Sequence, residues 1–296
     1  MIFNMKKYFI ILFLVISVSA FGQESESFKF AFFTDIHLQP EKNAPEGFKK
    51  AIDKVNELGA DFVLFGGDNI RDALGQDFER TELQFNLLDS MLQFFNMPVY
   101  ITMGNHDVFG LYEKSGVNES HPEFGKKYFE EKIGKRYYSF DHKNCHFIIL
   151  DGIGFKKHER KYYGYVDEEQ IEWLKADLEK TGKEKPVIAS IHIPLVTVFG
   201  QVIGGSLNPN DSGYAVVNSG KVVEIFREYN VKLVLQGHLH YIEDIFIYGT
   251  RYLTGGAVCG KWWNGPNMNI EEGFMLISVD GEDVKWDYID YGWEVN

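Results

Sequence analysis

The chain has 296 residues, of which 45% are hydrophobic, 25% charged and 16% aromatic; this ordinary globular composition excludes a collagen-like, coiled-coil or largely disordered protein. Lys and Arg number 30 against 43 Asp and Glu, for a net charge of −13, which argues against a nucleic-acid polymer as partner, since such binders need basic surface. Two cysteines exclude a disulfide scaffold and a cysteine-rich zinc module.

Lys6 and Lys7 precede an apolar run from Tyr8 to Val18, followed by Ser19, Ala20 and Gly22. A basic start, a short apolar stretch and small residues predict a secretory signal peptide over residues 1–22, cut after Gly22, and hence an exported, periplasmic or secreted protein. The run is shorter than the roughly 20 residues of a membrane span, and no later run matches it, so no span is expected in the mature chain. With no repeat, low-complexity tract or linker, residues 23–296 read as a single domain.

Short apolar runs at Phe28–Thr34, Asp61–Phe65, Pro98–Thr102, Asn144–Leu150, Pro186–Ile193 and Val231–Leu235 read as buried strands. Between them, Glu46–Leu58, Asp77–Phe95, Asp167–Thr181 and Gly220–Tyr229 read as helices. In the third, Ile171, Leu174 and Leu178 share one face. Asp244–Tyr248, Arg251–Thr254, Phe274–Val279 and Val284–Tyr291 read as further strands with turns at Gly249 and Asp280-Gly281, which predicts an α/β fold closed by antiparallel strands. Export permits a Cys145–Cys259 disulfide, but the apolar run around Cys145 and the glycine-rich loop around Cys259 favour two buried free thiols.

Five strand ends deliver Asp, Asn or His: Asp35-Ile36-His37, Gly67-Asp68, Gly104-Asn105-His106-Asp107, His192, and Gly237-His238-Leu239-His240. Carboxyl ends of strands in α/β sheets line one crevice, so these residues are expected to converge. Imidazole, carboxylate and amide oxygen suit divalent zinc, manganese, iron, cobalt or nickel. Seven candidate ligands exceed one tetrahedral ion and suit two ions sharing a carboxylate, a pair that clamps the attacking and leaving oxygens of an in-line displacement. Two such ions against two aspartates and a hydroxide leave the site locally cationic. A small anionic phosphorylated substrate is therefore compatible with an acidic chain.

These motifs, in this order over residues 35–240, resemble the calcineurin-like metallophosphoesterase family. The resemblance implies a four-layer α-β-β-α sandwich of two mixed β-sheets with the metals at the strand C-terminal ends. It implies one divalent ion on Asp35, His37, Asp68 and His240, another on Asp68, Asn105, His192 and His238, and a nucleophilic hydroxide between them. It gives His106 the role of assisting the leaving group. A carboxylate three residues after the bridging aspartate orients this histidine in some members. Arg71 stands there instead, so Asp72 and Asp107 are both candidates for that catalytic support. Arg71 is either a substrate-binding guanidinium or Asp72's partner on a solvated loop.

Arg71 in place of a tyrosine, and Asp-x-His as first motif, point away from the purple acid phosphatases and toward the phosphodiesterase-like branch. Three long loops, Val108–Phe124, Val196–Ser219 and Gly255–Gly273, are candidates for specificity; the second could be a lid. In the third, Trp262 and Trp263 either stack on a substrate base or sugar or plug the end of the sandwich. His121, His142, His146 and His158 match no motif position; His121 and His158 are the two expected nearer the cleft. The reading is a two-metal hydrolase of phosphate esters, with a phosphodiesterase or nucleotide-type substrate preferred. A phosphomonoesterase and a non-catalytic metal or phospho-ligand binding protein remain as alternatives. The oligomeric state has no signal in the sequence.

Overall fold

The computed structural model describes residues 27–295; the expected signal peptide, residues 1–22, lies outside them. Strand β1 (Phe28–Phe33) leads to α1 (Ala44–Leu58), β2 (Phe62–Phe65), α2 (Phe78–Leu92) and β3 (Val99–Ile101). Then follow α3 (Lys127–Lys132), β4 (Tyr138–His142), β5 (Cys145–Leu150), β6 (Ile153–Lys156), β7 (Lys161–Gly164), α4 (Glu168–Thr181), β8 (Val187–Ile191) and α5 (Phe199–Gly204). The chain closes with α6 (Ser219–Phe226), β9 (Val231–Gln236), β10 (Glu243–Ile247), β11 (Thr250–Thr254), β12 (Gly273–Asp280) and β13 (Asp283–Asp290).

One sheet has the order β13-β12-β1-β2-β3 and the other β10-β11-β9-β8-β5-β4, with β6-β7 a separate hairpin. β1, β2 and β3 are parallel, as are β5, β8, β9 and β11. β12, β13, β4 and β10 add antiparallel edges. Both sheets are thus mixed, as expected.

Strand alternation explains the layers, because successive side chains point to opposite faces. Phe28, Phe30 and Phe32 of β1 meet Cys145, Phe147 and Ile149 of β5 in the core between the sheets. The alternate residues Ala31, Phe33, Ile148 and Leu150 join the core under the helices. There Phe48 of α1 packs on Phe33 and Phe65. Helix starts follow local chemistry: Asp77 accepts the Arg80 amide and Asp167 the Gln170 amide, each satisfying a free N-terminal donor. Cys145 and Cys259 are free and buried. Among the described residues no helix is long and apolar enough to cross a membrane.

Candidate active site

The residues that matter chemically follow parallel strands. Asp35 and His37 leave β1, Asp68 leaves β2, and Asn105 and His106 occupy a single 3-10 turn after β3. His192 follows β8, and His238 and His240 follow β9. Backbone bonds stitch these ends together across sequence: the Asp35 amide donates to Gly67 and the His37 amide to Asp68. Asp35, His37, Asp68, His238 and His240 all adopt left-handed backbone, with φ between 45° and 74°. Asp and His are among the non-glycine types that tolerate this region. Gly104 has no substitute, since a Cβ there would run into the backbone nitrogen and Oδ1 of Asp68.

The ligand atoms fall into two groups that share Asp68. Nε2 of His37 and Nε2 of His240 are 3.1 Å apart. Asp35 Oδ1 lies 3.3 Å from His240 Nε2, and Asp68 Oδ2 lies 3.5 Å from His37 Nε2. On the other side, Asp68 Oδ2 is 3.2 Å from His192 Nε2, which is 3.2 Å from Asn105 Oδ1. A nitrogen or oxygen each of Asp68, His192 and His238 lie within 4.8 Å of one another. The second oxygen of Asp68 is occupied, accepting the His106 amide at 2.8 Å. One carboxylate oxygen therefore faces both groups.

Two observations test whether this set fits metal ions. Nδ1 of His238 is buried with no hydrogen-bond partner, a costly state for a neutral acceptor unless something coordinates it. Three of the four histidines also anchor their remaining nitrogen on a backbone carbonyl: His192 on Gly66, His238 on Gly213 and His240 on Gly260. That is the outer support metal-ligating histidines ordinarily have. The electrostatics of the histidines differ. Burial and the neighbouring His192 push His238 down to about 4, the neutral form ligation requires. At His192, by contrast, burial is outweighed by Asp68 and Asp35, which push it up to about 9, and at His240 by Asp35, which raises it. Burial opposes charge on Asp68, but His192, His106 and His37 overcome it and hold its carboxyl well below the usual range.

Around this cluster, Nδ1 of His106 lies 3.2 Å from Asp72 Oδ1. Burial resists the charge on Asp72, yet His106 and Lys114 hold its carboxyl below the ordinary value. Asp107 does not share this work, which corrects its place beside Asp72 as a candidate for orienting His106. Its carboxylate is buried and accepts the amides of Asn69, Ile70 and Gly104 and the side-chain amide of Asn69. It ties the second and third strand-end loops together.

Arg71 makes no pair with Asp72; its guanidinium lies 4.0 Å over the ring centre of Trp262. Trp262 in turn lies against His37, 3.7 Å between centroids with the ring planes tilted by 37°. Trp263 departs from the substrate-binding expectation. It is 1% exposed, and its indole N–H donates to the carbonyls of Ile36 and His37, so it has no face to offer a ligand. His121 sits beside Phe78, Phe109 and Glu123, His146 bridges Asp141 and Asp177, His142 packs on Phe28 and Phe62, and His158 is exposed. None of the four belongs to the cluster.

The profile of the calcineurin-like phosphoesterases matches residues 28–241. The chain belongs to the calcineurin-like phosphoesterase family. It is 24% identical over 235 residues, 76% of each chain, to a 3',5'-cyclic-nucleotide phosphodiesterase of Nostoc sp.. In fold it is similar to a dimetal phosphatase of Danio rerio, with a TM-score of 0.62, 15% identity, and coverage of 90% of this chain and 99% of that one. It is also similar to the purple acid phosphatase PPD1 of yellow lupin seeds, with a TM-score of 0.61, 17% identity, and coverage of 90% and 52%.

The phosphoesterase is a metal-dependent hydrolase of phosphate esters with a binuclear divalent-metal centre. Beside that centre lie residues the motifs did not reveal. Tyr112, Lys114, Tyr162 and Gly213 line a cleft of about 800 Å³. The Lys161–Gly164 strand that carries Tyr162 pairs with Ile153–Lys156. Its only sequence signal is a short Tyr-Tyr run after a charged turn, too brief to mark a strand.

Proposed function

We propose that the phosphoesterase is a phosphodiesterase acting on a nucleotide-type substrate, at two ions divided by Asp68. Asp35, His37, Asp68 and His240 would hold one ion, and Asp68, Asn105, His192 and His238 the other. The observation that carries this is the single Asp68 oxygen, 3.5 Å from His37 and 3.2 Å from His192, while its other oxygen is held by the His106 amide. Two divalent ions, when bound, polarise phosphoryl oxygens and supply a nucleophile at neutral pH. The donor set suits manganese, iron, zinc, cobalt or nickel.

The chain's own groups do the rest. Asp72 accepts from Nδ1 of His106, which fixes the tautomer and leaves Nε2 free to carry a proton to the departing alkoxide. Arg71, lying over Trp262, offers its forked donors to a phosphate oxygen. Trp262 covers one face of His37 and excludes water there. The likeness to the 3',5'-cyclic-nucleotide phosphodiesterase of Nostoc sp. supports the diester preference. Export to the periplasm or exterior, read from residues 1–22, completes the proposal.

The test is hydrolysis of bis-p-nitrophenyl phosphate, p-nitrophenyl phosphate and 3',5'-cyclic AMP by purified protein with added manganese, before and after chelation. Faster turnover of the diesters, abolished by chelator, is the expected result. Turnover of the monoester alone would overturn the diesterase reading.

A further inference from the structure

The cleft beside the ligand cluster supplies none of the proposed metal ligands and no proton donor. One wall is the loop after β3, with Tyr112 and Lys114; the other is β7, with Lys161, Tyr162 and Tyr163; Gly213 also lines it. Each wall is fastened to the catalytic groups. Nζ of Lys114 lies 3.8 Å from Asp72 Oδ2, on the carboxylate that holds His106. The Tyr162 ring stands edge-on to His238, 6.1 Å between centroids. The Gly213 carbonyl accepts from Nε2 of His238 at 2.7 Å. An organic group carried on a phosphate at the cluster therefore leads into this space.

The two walls are also fixed to each other. Arg160, in the turn of the β6-β7 hairpin, donates to the carbonyls of Gly110, Tyr112 and Val117 at 3.0, 3.3 and 3.0 Å. The 108–124 loop and the hairpin thus form one frame. Its chemistry is selective: three tyrosines line it, with Lys114, Lys156, Lys161 and Arg160 set against the carboxylates of Glu113, Glu159 and Asp211. Rings on such walls stack on planar bases.

We propose that this cleft is the nucleoside subsite of the phosphoesterase, with Tyr162 and Lys114 selecting the base. This rests on the phosphodiesterase reading, and the experiment separates the two. The value of kcat/KM is measured for 3',5'-cyclic AMP and for ribose 3',5'-cyclic phosphate, which has the same phosphate ring and leaving alkoxide but no base. Wild type is expected to favour the base-bearing diester by about tenfold or more. Tyr162→Ala and Lys114→Ala should each lower that ratio severalfold. The Lys114 side chain is 64% exposed, so its replacement leaves folding intact.

A wild-type preference that survives both replacements overturns the cleft assignment. A wild type that hydrolyses both diesters equally overturns the nucleoside class and leaves the diesterase reading standing. Failure to hydrolyse either diester, or bis-p-nitrophenyl phosphate, sinks that reading and the subsite with it.

Discussion

Asp72 holds Nδ1 of His106 at 3.2 Å and is itself fastened by the Leu74 amide at 3.0 Å. Gln84 further clamps the Asp72 backbone from both sides. The imidazole is thereby aimed by a rigid partner. His106→Ala should keep both metals and lose little on nitrophenyl esters, whose leaving groups need no proton. On alkyl esters it should lose toward the upper end of the roughly 10²–10⁴-fold range of acid catalysis. Asp72→Asn should show the same dependence on leaving group at smaller size, about tenfold. A series of esters of graded leaving-group pKa checks this. An unchanged slope of log rate against pKa in His106→Ala would remove the general-acid role.

Asp68 and Asp107 are both buried carboxylates, yet their replacements should separate cleanly. Asp68→Asn is expected to lower bound metal below one equivalent and abolish hydrolysis, because one of its oxygens faces both ligand groups. Asp107→Asn puts an amide donor against backbone N–H groups and should cost about 2–3 kcal/mol of stability, while two ions still bind. Metal analysis and thermal melting of both variants decide between bridge and brace. Two full equivalents in Asp68→Asn would show that the bridge is misassigned.

The adjacent tryptophans should likewise part company. Trp263→Ala removes a fully buried indole and is expected to cost about 3–5 kcal/mol, visible in a denaturant melt. Trp262→Ala removes the platform under Arg71 and should raise KM for phosphate substrates several-fold, in line with the roughly 0.5–2 kcal/mol of a cation–π contact. Equal loss of stability in both would contradict the separate roles.

His146 gives a pH signature remote from the metals. It lies between Asp141, 2.7 Å away, and Asp177, 2.8 Å away. Lys185 also pairs with Asp141 and Ser139 donates to Asp177. Burial disfavours the imidazolium, but the two carboxylates overcome it and raise the His146 pKa. Both carboxyls sit below their usual values and stay ionised at mild acidity. The stabilisation is therefore complete below the unfolded pKa of about 6.5 and fades as pH rises through the folded one. His146→Gln should be destabilised by about 1–2 kcal/mol at pH 5.5 and by less at pH 9. Urea melts at both values check the trend; a gap that widens with pH would refute it.

The ligand motifs were legible because each sits directly after an apolar run, where a parallel strand must end. The central strands were legible for the same reason, to within about two residues. β4, β6, β7, α3 and α5 were not: Tyr138–His142 is half-polar and at the sheet edge, and Lys127–Lys132 is a single charged turn and a half. The fates of Trp262 and Trp263 were equally hidden. Both have left-handed φ, 56° and 62°, and that local turn sends neighbouring rings to a metal ligand and to the core. Tyr162 depends on a hairpin whose position is set by Arg160, 43 to 50 residues from its acceptors, a link no local pattern encodes.

The left-handed backbone at Asp35, His37, Asp68, His238 and His240 carries a cost of order 1 kcal/mol at each position. Glycine would relieve it wherever the side chain is not needed to fill space. The residues that make the chemistry are thus among those the bare fold would sooner lose. A laboratory selection for heat resistance alone, run without metal or substrate, would drift toward glycine at these corners and return a hardier protein with no reaction to perform.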